Sequence, residues 1–336
     1  MTTILPEITN PLSRGKLVGC DVSEREYSKQ VVERGHPGFR MSRSELHDFA
    51  DCPHKWFVGR TPTDTDATLW GTLFEFCVQY PGSTDDRFAI TPPTYHASAM
   101  ECPSCKSRTD SLTCRKCQCD RVRVEFDKPW DFGANVCAKW KENHQDQTII
   151  KSELLSEARN AAEAFFGNPE LSSLANCSQR QVMVEAEYHD ESTNLVIPIH
   201  SLIDFVPEKT HLKFGQSLAD LKTTKSAKPF SFARDVFSHW LHVQAALYLD
   251  VWNACGADQR IEWRLLVSES EAPWEATAYL LSQDYITLGR MTYIQALQRY
   301  CRCLTTKSWP GYADPERDNL YDGWALIEPE TWMVNR

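Results

Sequence analysis

The sequence predicts an α/β fold, a central mixed β-sheet flanked by helices, with a small cysteine-rich insertion. Three observations carry this. Extended apolar runs cluster at 181–224 and again at 261–281. Segments of helical period frame them at 151–166, 230–254 and 284–305. Four of the thirteen cysteines stand as two C-x-x-C pairs separated by eight residues.

In chain order, residues 1–38 show little periodicity and read as an extended or partly disordered N-terminal arm. Residues 39–99 read as the N-terminal helices of the main domain, 100–121 as the insertion, and 122–336 as the core with its C-terminal helices. The run from Lys151 to Phe166 has helical spacing and meets a stop at Gly167-Asn168-Pro169. Gln181 to Tyr188 is extended, with Glu185 and Glu187 two apart and able to share a strand face. Asn194 to Pro207 is a second strand, and Pro198 within it favours an edge or a bulge. Leu212 to Thr224 reads as its partner. Phe230 to Ala254 is a helix, Ile261–Ser268 and Trp274–Leu281 are strands, and Asp284 to about Thr305 closes the fold as a helix.

Cys102-Pro-Ser-Cys105 and Cys114-Arg-Lys-Cys117 have the spacing of a four-thiolate zinc site. Each pair supplies two ligands of a tetrahedron. Residues 100–121 hold too little apolar surface to fold without such a staple, so 100–121 reads as zinc-ribbon-like with a structural Zn²⁺. The competing assignments are disulfides, disfavoured in a reducing cytosol, and free thiols. Lys106, Arg108, Arg115, Lys116, Arg121 and Arg123 surround the cysteines, as for a DNA-contacting finger or a solubilising or subunit-contacting face.

Asp220-Leu221-Lys222 carries the chemistry. Residues i and i+2 of a strand share a face, so Asp220 and Lys222 project together, and Asp204 lies sixteen residues upstream on the neighbouring strand. Two carboxylates can hold Mg²⁺ through oxygen, and an ammonium can sit beside an attacking water or a phosphate. Gln244 and Tyr248 are four apart, on one face of the following helix.

This ordered set resembles the PD-(D/E)XK nuclease superfamily, in particular RecB-like and exonuclease VIII (RecE-like) phage recombination nucleases. There an Asp ends one strand, an Asp/Glu-x-Lys lies on the next, and a Gln-x-x-x-Tyr helix follows. The matching positions here are Asp204, Asp220, Lys222, Gln244 and Tyr248. Met41–Phe49 and Cys52-Pro-His-Lys-Trp-Phe57 resemble the family's opening helix, and Trp309-Pro-Gly-Tyr312 its tail. Gly71-Thr-Leu-Phe-Glu75 resembles the Gly-Thr-x-Phe-His motif, with Glu75 where the exonuclease VIII branch usually has His. The resemblance implies a restriction-endonuclease-like core. It implies Mg²⁺ (or Mn²⁺) held by Asp204, Asp220, the Leu221 carbonyl and Glu75, with Glu185 or Glu187 as a further carboxylate.

In that scheme Lys222 positions or activates water, Gln244 orients the water or a phosphate, and Tyr248 packs against or hydrogen-bonds the DNA backbone. Lys225, Lys228 and Arg234 are candidate phosphate contacts. The implied activity is 5′ to 3′ digestion of linear duplex DNA by a ring-like homo-oligomer, leaving strands for a single-strand annealing protein. Two alternatives stand beside it: a RecB-like nuclease of a repair or CRISPR-adaptation pathway, and a DNA-end-binding module without turnover. An iron–sulfur cluster would favour the former, but Cys301-Arg-Cys303 near the C-terminus is one ligand short.

The composition fits these readings. A chain of 336 residues holds one large α/β domain with insertions, or two domains. A net charge of −10 opposes unselective attraction to DNA, and clustered metal-binding carboxylates explain part of it. No apolar run approaches the roughly 20 residues that span a membrane, and the N-terminus lacks the basic and apolar regions of a signal peptide. A cytoplasmic location is the expectation.

Overall fold

The computed structural model describes residues 8–29, 32–59, 65–82, 87–256, 258–312, 320–321 and 324–325. The chain forms two compact units, one of Met1–Asp66 with Ala164–Arg336 and one of Ala67–Glu163.

The first elements are β1 (Leu12–Gly19), α1 (Glu24–Tyr27), α2 (Arg43–Asp51) and α3 (Pro53–Val58). Then come α4 (Asp66–Gln79), β2 (Phe88–Thr91), β3 (Thr94–Glu101), β4 (Arg108–Thr109), β5 (Val122–Pro129), α5 (Asn135–Glu142), β6 (Thr148–Lys151) and α6 (Ser152–Gly167). The core follows as α7 (Pro169–Asn176), β7 (Ser178–Asp190), β8 (Leu195–Pro207), β9 (Ser217–Thr224), α8 (Pro229–Ser238), α9 (Leu241–Ala254), β10 (Glu262–Glu269), β11 (Ala276–Leu280) and α10 (Gln283–Thr306). From α7 onward the expected succession of helix, three strands, helix, two strands and helix is present, with the middle helix in two parts.

The larger unit is built on a six-stranded sheet of order β1-β7-β8-β9-β10-β11. Only β9 and β10 run parallel, so the sheet is mixed as expected. The β7–β8 hairpin turns on Asp190, whose Oδ2 accepts from Ser192 Oγ (2.6 Å), Thr193 Oγ1 (2.7 Å) and Thr193 N (2.9 Å). Asn194, at φ 55°, takes the left-handed position that asparagine tolerates. Ser217 to Leu221 of β9 are all buried, as befits an interior strand covered on both faces.

Helix α9 is the centre of the core. Leu241 through Val251 are all buried, so it carries no polar face and lies enclosed by its neighbours. Its close contacts are made through glycine. A Cβ on Gly289 of α10 would lie 2.1 Å from the His242 carbonyl oxygen, and one on Gly15 of β1 would lie 2.2 Å from Cys255 N. Edge-to-face rings tie α2 and α3 to α10, with centroids 5.3 Å apart for Phe49–Tyr300 and 5.5 Å for Trp56–Tyr300.

Several expectations change. Residues 12–19, expected within an extended or partly disordered arm, are strand β1, paired with β7. Apart from Leu12 its residues are exposed or half-buried, so it carries no alternating pattern to read. The helix expected over 230–254 is two helices, because Trp240 at φ 55° breaks it between α8 and α9. The strand expected from Leu212 begins only at Ser217.

Pro198 lies within an interior strand, in the half of β8 that β9 does not cover. Its carbonyl accepts from Met41 N (2.8 Å). A strand residue's N–H and C=O point to the same side, so the missing N–H costs no rung of the β7–β8 ladder.

The smaller unit contains a three-stranded sheet of order β4-β3-β5. The insertion expected at 100–121 is thus the tip of a longer ribbon, in which β3 and β5 pair from Thr94↔Pro129 to Glu101↔Val122.

Candidate active site

The register Phe205↔Ala219 places Asp204 of β8 opposite Asp220 of β9. Beyond this point the strands part, and Ile199 bridges Met41 instead. The two acids therefore stand where the sheet forks. Both are buried, Asp204 at 9% exposure and Asp220 at 2%. Paired carboxylates out of water repel one another and need donors or cations.

The chain supplies several. Leu221 N donates to Asp204 Oδ2 (2.7 Å) and Gln181 Nε2 to Asp204 Oδ1 (3.4 Å). Gln244 Nε2 donates to Asp220 Oδ1 (2.6 Å). The Lys222 ammonium contacts Asp220 Oδ2 and the Leu221 carbonyl oxygen, the latter at 3.3 Å. Four of the five residues expected to carry the chemistry thus meet in one set of contacts. The fifth, Tyr248, packs its ring edge-on against Trp263 (5.7 Å), and its hydroxyl bonds that of Tyr27.

Comparison with known proteins agrees with this geometry. Residues 199–316 match the family described as a PDDEXK-like domain of unknown function (DUF3799). That stretch of the chain resembles a PDDEXK-like domain. Asp204, Asp220, Lys222, Gln244 and Tyr248 all fall within the matched segment.

No curated protein matches the sequence. Solved structures similar to the chain include one described as a "Putative exonuclease" from Eubacterium rectale, with TM-score 0.49 and 11% identity, covering 94% of this chain and 98% of that one. Another, described as SSO0001, has TM-score 0.25 and 11% identity over 70% of this chain and 88% of that one. The likeness to the PDDEXK-like family rests on the sequence match over residues 199–316 and not on these structures.

Other expected ligands of the PDDEXK-like domain are placed differently. Glu185 stands opposite His200 on the β7–β8 ladder and bonds Arg40 (3.0 Å). Glu187 stands opposite Pro198 and bonds Arg14 (2.9 Å). His200 and Pro198 are four and six residues from Asp204, roughly 13 and 20 Å along β8 at about 3.3 Å per residue. Neither glutamate is beside the acidic pair. The β7 residue that reaches Asp204 is Gln181, whose φ of 46° locally interrupts the ladder.

Tyr248 is 6% exposed, so it presents no open face to a duplex. Burial, with the charge of Asp220 adding to it, raises its hydroxyl well above the ordinary tyrosine range and keeps it neutral. Glu75 lies on α4, in the smaller unit. Lys225, Lys228 and Arg234 are exposed beyond the end of β9.

Three residues join this site that sequence reasoning did not single out. Arg43, at the start of α2, is lowered from the usual arginine range by burial, and Asp220 and Tyr248 oppose the shift. Its Nη2 donates to the His239 carbonyl at the end of α8. Tyr27 is pushed up to about 12 by burial and hydrogen-bonds both Tyr248 and Ser42. Gln181 is the third. Arg43 sat within the quoted opening-helix motif, whereas Tyr27 fell in the supposed arm, where no pattern marked it.

The four cysteines of the smaller unit also converge. The Cys102, Cys105, Cys114 and Cys117 sulfurs all lie within 4.8 Å of one another, the one such metal-ligating group among the described residues. The two knuckles are built alike. Cys102 N donates to Ser107 O and Lys106 N to Cys102 O; Cys114 N donates to Cys119 O and Gln118 N to Cys114 O. Lys106 and Gln118 hold the same left-handed position, at φ 59° and 55°. A soft S₄ set with amides aimed at its sulfurs, such as Cys105 N on Cys102 Sγ (3.4 Å), fits Zn²⁺.

Among the described residues no helix is long and apolar enough to cross a membrane.

Proposed function

We propose that this protein is a divalent-metal-dependent deoxyribonuclease of the exonuclease VIII kind, acting on linear duplex DNA. The observation that carries the reading is Asp204 facing Asp220 at the sheet fork, with Lys222 and Gln244 both on Asp220. The donor set fits a hard divalent cation. Asp204, Asp220 and the Leu221 carbonyl offer oxygens alone, and a positive charge, the Lys222 ammonium, already lies against two of those groups. Once bound there, Mg²⁺ or Mn²⁺ would acidify a water and offset negative charge on the phosphoryl oxygens.

The chain's own groups do the rest. Leu221 N–H and Gln244 each hold one carboxylate oxygen, so both acids keep a fixed orientation. Lys222 orients the attacking water and offsets charge as the new P–O bond forms and the bond to the leaving oxygen breaks. Arg43, half-buried near Asp220 and Tyr248, adds a positive charge to the same wall. Digestion from 5′ ends, a ring-like oligomer and hand-over to an annealing protein belong to the same reading and follow from the family resemblance.

The test uses 5′- and 3′-labelled linear duplex, closed circular DNA and single strands, each with Mg²⁺, with EDTA, and with Lys222→Ala protein. Loss of linear but not circular DNA, dependent on metal and on Lys222, is expected. Binding without cleavage in either Mg²⁺ or Mn²⁺ would leave a DNA-end-binding module instead.

A further inference from the structure

Helix α8 leaves two phenylalanines in water. Phe230 is 75% exposed and Phe237 is 61% exposed. With Arg234 between them they occupy positions i, i+4 and i+7, one face of the helix. The opposite face buries Phe232 and Val236 in the core. The outward aromatics are therefore surplus to folding. The Arg234 guanidinium lies 4.6 Å from the Phe230 ring centroid, and Phe237 stacks on His242 with ring centroids 5.4 Å apart and planes 7° from parallel.

The stripe is fastened to the catalytic strand. Thr224 follows Lys222 by two residues on β9, about 7 Å along the strand, and its hydroxyl donates to Asp235 Oδ2 (2.9 Å). Arg43 grips the other end of α8 at His239. Between strand and helix come the exposed Lys225 and Lys228, and no acidic side chain lies on the outward face of α8. Exposed rings interleaved with cations beside a phosphodiester site match one ligand chemistry: unpaired nucleobases stacked on rings, their phosphates on Lys and Arg.

We propose that the Phe230–Arg234–Phe237 face of α8 is a stacking platform for the single-stranded portion of the DNA substrate next to the catalytic fork. This rests on the nuclease reading for its biological sense, but its test does not need cleavage. Binding is measured by fluorescence anisotropy without divalent metal, for a single strand, a blunt duplex and a duplex with a single-stranded tail. A 2-aminopurine in the tail reports stacking.

Phe230→Ala and Phe237→Ala should each weaken single-strand and tailed-duplex binding roughly tenfold or more, with little change on blunt duplex, and should restore 2-aminopurine fluorescence. Phe230→Trp should keep both signals. Arg234→Gln should lower the salt slope by about one. Both phenylalanines are exposed, so the alanine variants should fold, which far-UV circular dichroism checks. Unchanged strand binding in Phe230→Ala/Phe237→Ala would overturn the proposal. So would a fall from dimer to monomer in sedimentation without loss of binding, since the stripe would then cover a second copy. Wild-type protein that stacks DNA but never cleaves it would sink only the nuclease reading.

Discussion

Arg290 of α10 closes on Asp250 of α9 in two hydrogen bonds, Nε to Oδ2 at 2.6 Å and Nη2 to Oδ1 at 2.7 Å. Tyr293 donates a third, to Oδ2 at 2.5 Å, and Asp250 is 1% exposed. Such a pair is costly to break from one side, because the surviving charge stays buried. Asp250→Ala should cost about 3–5 kcal/mol and Tyr293→Phe about 1.5–3 kcal/mol, read from urea midpoints. Asp250 shares α9 with Gln244, so the alanine variant should also lose activity.

The acidic pair should show the opposite trade. Asp204→Asn removes one of two facing negative charges, and its amide oxygen can still accept from Leu221 N. The melting temperature should hold or rise while cleavage disappears. Lys222→Ala should lower the rate constant about 10²–10⁴-fold with an unchanged circular dichroism spectrum. Loss of fold in either variant would mean that these groups are structural.

Gly289 gives a packing test. A methyl there meets the His242 backbone 2.1 Å away, which a side-chain rotation cannot relieve. Gly289→Ala should destabilise by about 1–3 kcal/mol through overpacking, and by shifting α9 should lower activity more than a surface glycine change such as Gly311→Ala.

His200 predicts the acid side of the stability curve. It is 1% exposed, and burial first, then the charge of Arg40, push it down to about 3. Above about pH 6.5 it is neutral folded and unfolded, so it contributes no slope. As pH falls below about 6.5 the unfolded chain takes a proton that the folded chain refuses. Stability should fall by up to about 1.4 kcal/mol per pH unit until pH nears 3. His200→Phe, which keeps a ring stacked on Tyr27, should flatten that slope between pH 6 and 4 in denaturant titrations. His242, also lowered by burial, gives the same sign and should leave a residual slope.

The cysteine cluster should hold one zinc per chain by elemental analysis. Cys114→Ser should lose it. Cys119→Ser should keep it, although Cys119 Sγ lies 3.4 Å from Cys102 Sγ, because the other four already complete a tetrahedron. Zinc retained in Cys114→Ser but lost in Cys119→Ser would reassign the ligand.

The sequence made the centre of this protein legible and its margins obscure, for physical reasons. Asp204, Asp220, Lys222 and Gln244 lie in elements whose burial imposes strong patterns, so spacing set the acids and Lys222 side by side, and the family resemblance added Gln244. The break at Trp240 was hidden because both halves of 230–254 are apolar and only a backbone angle separates them. Gln181 escaped because strand alternation favoured Glu185 and Glu187, while a local irregularity turned a neutral side chain towards Asp204 instead. Strand β1 and Tyr27 escaped because a mostly exposed segment has no periodicity to betray it.

That first strand has a consequence for the molecule's behaviour in company. β7 is thirteen residues long, and its outer row of amides and carbonyls is covered by β1 and, past its end, by the Asp21 and Val22 amides on the Arg180 and Gln181 carbonyls. An uncovered strand of that length would invite the matching strand of another copy, the usual start of sheet-on-sheet association. β1 closes this row yet offers little in its place: its register slips between Ser13 and Lys16 and again between Leu17 and Gly19, and Arg14 and Lys16 line it with charge. Residues with no part in the chemistry thus shield that strand edge from pairing with another copy.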